Sequence, residues 1–177
     1  MKKYLIAATL IVFASGGAIA APSGTFIQAH EYGFGDKSSL DPASRGRVMQ
    51  ITEKLMSRLI RPDMKGSPSP DLAVSWSANS QATEWTLKLR DGVKFHDGSA
   101  FDSGDVIYTF NRVLDPENKS PARSAIKMIE KMEAPDKSTI TFKLSTPFAD
   151  LPLQLMDYRL RIIPEGSGDS IAASGIG

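Results

Sequence analysis

Between residues 84 and 116 the apolar period of the chain changes from two to about 3.6, and this change restricts the fold more than any other feature. Trp85, Leu87 and Leu89 alternate with Thr86, Lys88 and Arg90, the pattern of a strand with one buried face. Asp91-Gly92 follows as a turn pair that tolerates positive φ. Val93 and Phe95 continue the alternation, and Asp97-Gly98 makes a second turn. From Asp102 the spacing becomes helical. Val106, Phe110, Val113 and Leu114 share one face, Asp102 can cap the N-terminus, and Asp105 stands where a capping box places its acid. About three turns of helix result, ended by Pro116.

Around this block the chain mixes strand and helix signals. Residues 25–30 read as a short strand and residues 31–39, with Gly33 and Gly35, as a loop closed by Asp41-Pro42. Val48, Ile51, Leu55 and Leu59 recur at intervals of three and four, which predicts a helix over 45–59 stopped by Pro62. Residues 65–70 read as a turn-rich connector, and Leu72, Val74 and Trp76 alternate as in a strand. Ser120-Pro121 offers a cap and first-turn proline for a helix carrying Ile126, Ile129 and Met132 inward. Ile140, Phe142 and Leu144 mark another strand, 151–156 is an apolar segment, and 160–163 reads as a last strand. Strands and helices do not alternate regularly, so the pattern is that of an α+β mixed-sheet body rather than a doubly wound parallel sheet.

Composition removes several functional classes. The 177 residues carry 21 Lys+Arg against 20 Asp+Glu, a formal charge of +1 with no basic run, so no electrostatic footprint for nucleic acid exists. Absence of cysteine excludes thiol nucleophiles, disulfide scaffolds and cysteine metal sites. Lys2 and Lys3, an apolar run over 4–13 and Ala18-Ile19-Ala20 have the layout of a secretory signal cut after Ala20. That run is about half of what spans a bilayer. Because no cysteine stands at the cut, a lipid anchor there is excluded. The expected product is free in the periplasm, with residues 1–20 as leader, 21–164 as the folded body and a Gly/Ser-rich end over 165–177.

The chain offers little for catalysis. No G-x-S-x-G elbow occurs, and neither His30 nor His96 sits in a recognisable base motif, so an envelope hydrolase would have to depend on an unusual use of Ser39 or His96. His96 with Asp97, Asp102 and Asp105 matches no metal-ligand spacing. Their structural reading is a turn, a cap and a dipole partner. Glu130 and Glu133 alternate with Lys127 and Lys131 and read as a solvated, ion-paired helix face. Trp76 and Trp85 read as core anchors. No cofactor is expected.

The segment WTLKLRDGVKFHDGSAFDSGDVIYTFNRVLDP closely resembles the signature region of the family 5 extracellular solute-binding proteins, the peptide-binding and nickel-binding receptors of ABC importers. The residues carrying it are Trp85, Leu89, Arg90, Asp91, Gly92, Val93, Phe95, His96, Asp97, Gly98, Asp105, Val106, Phe110, Asp115 and Pro116. Ser39-Leu40-Asp41-Pro42 is similar to an SLDP element of that family, residues 71–76 to its L-A-x-S-W element, and residues 137–147 to its following strand. One departure is Gly104, where the family more often has an acid ahead of Asp105.

The resemblance implies the N-terminal lobe segment of a two-lobed, type II-like periplasmic binding protein whose second lobe is absent from this chain. It implies non-catalytic capture of a peptide or related solute, delivered to permease subunits that work with cytoplasmic ATPase subunits. By the same resemblance Gly35, Asp36, Lys37, Ser38 and Ser39, just before the SLDP element, are the expected solute contacts. A rival reading takes the chain as a truncated product that binds nothing.

Overall fold

The computed structural model describes residues 39–44, 49–171 and 177. The expected leader, the strand expected at 25–30 and the expected contact residues Gly35 to Ser38 lie outside the described residues.

Two antiparallel sheets form. The first pairs β1 (Ile60–Pro62) with β2 (Pro68–Pro70), the second contains β3 (Ala73–Ala78), β4 (Glu84–Leu89), β5 (Ile129–Asp136) and β6 (Thr139–Leu144) in the order β3-β4-β6-β5. The helices are α1 (Met49–Leu55), α2 (Ser103–Leu114), α3 (Arg123–Ile126) and α4 (Leu151–Gln154). The α+β class stands, and every strand pair among the described residues is antiparallel.

β4 and β6 are central because both supply the alternation that a half-buried strand needs. Trp85, Leu87 and Leu89 are buried on β4, opposite Phe142 and Ile140 of β6. α2 lays Val106, Phe110 and Val113 on that face, and Phe110 stacks on Phe142 with ring centroids 5.1 Å apart. Stacked rings of this kind add about 1 kcal/mol to the area they bury. Trp85 is the expected anchor. Its Nε1 donates to the Phe148 carbonyl at 3.2 Å, while Trp76 is half-buried against the same core.

α2 starts as its sequence requires. Asp102 Oδ1 accepts from the Gly104 N–H and Asp105 Oδ2 accepts from the Asp102 N–H, both at 2.8 Å. Ser103 joins the helix start to the β5–β6 turn by donating Oγ to the Asp136 carbonyl at 2.8 Å.

Several expectations need correction. Helix α1 ends at Leu55, well short of Pro62, because Leu72 and Ala73 donate their N–H groups to the carbonyls of Arg58 and Leu59 and draw that segment out of the helix. Pro62 instead lies in β1. Pro68 and Pro70 sit in its partner strand rather than in a loose connector, an edge position where a missing N–H costs little. The helix expected to carry Ile129 and Met132 is a single turn, α3, followed by strand β5, so Glu130 and Glu133 lie on a strand. Val74 is exposed because a bulge between Ala73 and Ser75 breaks the alternation. Asp91-Gly92 does not close a hairpin onto 93–95, since β4 already has β3 and β6 on its two edges. Both Asp-Gly pairs nonetheless turn the chain with glycine at positive φ, Gly92 at +72° and Gly98 at +87°, and Phe95 and Ser99 pair across the second at 2.9 Å. Residues 160–163 are buried but make one isolated bridge, Arg58 with Arg161, in place of a strand. Within the Gly/Ser-rich end, Ile171 is fully buried with Met56 and Ile163.

Candidate functional site

Ser39 begins a turn whose geometry is fixed by its own side chains. Its Oγ accepts from the Asp41 N–H at 3.1 Å, and Asp41 Oδ1 accepts from the Ala43 N–H at 2.9 Å, an Asx turn ahead of Pro42. Asp41 is buried. Arg112 of α2 clasps it with both terminal nitrogens, Nη1 to Oδ1 at 3.0 Å and Nη2 to Oδ2 at 2.6 Å. The same bond holds the Arg112 guanidinium above its ordinary range, against the opposing effect of burial.

Two further segments close on this turn. Ser120 donates Oγ to the Ala43 carbonyl at 3.0 Å, which ties the turn to the start of α3. Arg159 donates Nη1 to the Pro121 carbonyl at 2.7 Å and is itself paired with Asp157, whose carboxylate lifts the Arg159 guanidinium above its usual range. Residues 39–44, 118–123 and 157–161 therefore meet through named hydrogen bonds. Arg112 separates two shallow pockets, of about 380 Å³ beside Tyr108, Asp115 and Asp169 and about 280 Å³ beside Asp41, Ser44 and Lys119.

The signature residues occupy scaffold positions. Arg90 donates Nε and Nη2 to the Asp71 carbonyl at 3.2 and 3.0 Å. Phe95 packs edge-on against Phe101. Asp97 Oδ1 accepts from both the N–H and the hydroxyl of Ser99, which lowers its carboxyl pKa. Asp115 ends α2 and caps the following 3-10 turn at Pro116 by accepting from the Glu117 N–H. Asp105 is buried near Asp102 and Glu165, and desolvation raises its carboxyl pKa despite two backbone donors, Asp102 and Glu165. His96 Nδ1 accepts from the Gly177 N–H at 3.2 Å.

Among the described residues no group of three or more His, Asp or Glu is arranged to hold a metal. Of the five expected solute contacts, Ser39 alone is described, and its hydroxyl is engaged with the turn. Sequence reasoning missed Arg112 and Arg159, and it read Ser120 as a cap without its bond to the Ala43 carbonyl. Arg112 sits on the polar side of α2, where periodicity marks only solvent. What the arrangement does is fix residues 39–44 against α2 and the start of α3 through side-chain hydrogen bonds.

Residues 67–174 match the family model described as "Bacterial extracellular solute-binding proteins, family 5 Middle". The chain is 42% identical over 78 residues to a glutathione-binding protein of Pectobacterium atrosepticum, covering 44% of this chain and 15% of that protein. It is 35% identical over 121 residues to a probable D,D-dipeptide-binding periplasmic protein of Escherichia coli, covering 64% of this chain and 23% of that protein. Its fold superimposes with a TM-score of 0.69 and 32% identity on the periplasmic binding protein AgaA of Agrobacterium tumefaciens in complex with agropinic acid, over 77% of this chain and 28% of that one. The chain thus spans less than a third of the length of each of these relatives. With the match covering well over half of its residues, the chain belongs to the bacterial extracellular solute-binding proteins of family 5.

Proposed function

We propose that this chain acts as part of the substrate-binding component of an ABC importer, capturing a peptide or related small solute without chemical change. The observation that carries the reading is the family match over residues 67–174, within which the signature side chains serve as caps, turns and core. A receptor of this kind needs a shaped, rigid rim and buried polar backbone groups rather than a nucleophile. The Arg112–Asp41 clasp supplies rigidity at the turn that follows residues 35–39. Those residues, Gly35, Asp36, Lys37, Ser38 and Ser39, contact the solute in this reading. The peptide class is favoured because two of the relatives are named for glutathione and for D,D-dipeptides. The leader-like pattern of residues 1–20 supports a periplasmic location. Permease subunits and their ATPases are its partners.

The test is equilibrium dialysis of the protein purified from the periplasm against a mixed di-, tri- and tetrapeptide pool, with retained peptides identified by mass spectrometry. Selective retention, weakened by Asp36→Ala or Lys37→Ala with the melting curve unchanged, supports the reading. Retention of no peptide, or retention indifferent to both changes, overturns it.

A further inference from the structure

Two arginines are buried where the fold would accept apolar residues. Arg58 follows α1 and Arg161 stands opposite it in the isolated bridge, and both are more than nine-tenths buried within the apolar runs Leu59-Ile60 and Leu160 to Ile163. Their fixed partners are neutral. Arg58 Nη1 donates to the Met156 carbonyl, while Arg161 Nη1 and Nε donate to the carbonyls of Met56 and Tyr158. Arg58 Nε and Arg161 Nη2 have no hydrogen-bond partner among the described residues.

The nearby carboxylates do not balance the pair. Asp71 Oδ2 accepts from the Arg58 backbone N–H at 3.1 Å, and the half-exposed Glu53 carboxylate stays 4.0 Å from Arg161 Nη2, beyond hydrogen-bond reach. Buried polar atoms in native proteins are nearly always paired, and a buried charge without a counter-charge is among the costliest features a fold can hold. The strain is visible in Arg161, whose guanidinium is pulled down to about 10 by burial first and by Arg58 second. Arg161 is still cationic at neutral pH. Beside them lies a cavity of about 340 Å³ that Lys54 and Arg61 also line, so four cations face two carboxylates there.

We propose that this cavity is an anion site that takes a small dicarboxylate. A dicarboxylate brings two negative charges to a cavity where four cations face two carboxylates, and the incoming charge offsets the repulsion between Arg58 and Arg161. The proposal does not depend on which solute the receptor delivers.

The test uses the purified protein with succinate and, as a neutral isostere, succinamide, read by thermal unfolding and isothermal titration. Expected is a saturable rise in melting temperature with succinate only, as for any ligand that binds the folded state. Arg58→Gln removes one of two like charges while keeping a donor for the Met156 carbonyl, and should weaken succinate by about tenfold or more. Arg161→Lys, which keeps the charge, should weaken it less, and serves alone if Arg58→Gln does not melt cooperatively. The proposal is overturned by an equal rise with succinamide, by no rise with succinate, or by variants that bind succinate as the parent does.

Discussion

Arg112 and Asp41, separated by 71 positions in the chain, form a two-bond fork at 3.0 and 2.6 Å. Both are largely shielded, with side-chain exposures of 18% and 11%, so solvent screens the pair only in part. The clasp converts a local Asx turn into a fixed point on α2. It ties residues 39–44 to the helix.

Asp41→Ala should therefore destabilise the protein by about 2–3 kcal/mol, because Arg112 is left without its counter-charge and the Ala43 N–H without its acceptor. Arg112→Lys should recover little of the clasp, since an ammonium cannot make both bonds. Urea unfolding of Asp41→Ala, Arg112→Met and the double variant Asp41→Ala/Arg112→Met measures the coupling. Strict additivity would contradict the clasp.

The cap on α2 is a second check. Asp102→Ala removes the acceptor for the Gly104 N–H and should cost about 1 kcal/mol, with hydrogen-exchange protection lost chiefly in the first turn of the helix. Gly104→Ala should not be neutral, because an added Cβ would lie 3.0 Å from Asp102 Oδ1 and disturb the same cap.

Glu133 gives a pH signature. Lys131 first and Lys143 second bond its carboxylate, at 2.7 and 2.9 Å, and hold its pKa at about 2 rather than 4.5. A carboxyl whose folded value is depressed stabilises above its ordinary value and loses that contribution as pH falls through the folded one. Glu133→Gln should then melt below the parent at neutral pH, and the gap should close on acidification from about 4.5 to about 2. Added salt should shrink the gap at neutral pH, since all three groups are exposed. Melting curves across that range decide it.

Phe110→Ala should cost about 3–5 kcal/mol, as it opens a cavity under β6 and removes the stack on Phe142. Trp85→Phe keeps most of the apolar volume and loses the bond to the Phe148 carbonyl, for about 1 kcal/mol. Chemical denaturation should rank the two in that order.

What the sequence disclosed was local. Strand β4, helix α2 and its capping box were legible because alternation, cap and stop all lie within a few residues of one another. β5 was not, because its register shifts twice against β6 and scatters the period that would mark a strand, while Ile126, Ile129 and Met132 keep a spacing of three that suits a helix. The end of α1 depended on pairing with residues 72–73, which no local signal announces. At the site, the SLDP element was legible as a turn, but its anchor was not, since a long-range ion pair leaves no periodic trace. Arg58 and Arg161 were not singled out either, since their burial depends on the long-range bridge between them.

The most direct measurement is native mass spectrometry of the protein captured from fractionated source cells with an antibody to residues 85–116. The account predicts recovery from the periplasmic fraction, without residues 1–20, carrying a peptide or similar small solute that dissociates on activation. Recovery from the cytoplasm with residues 1–20 attached and no bound solute would contradict it.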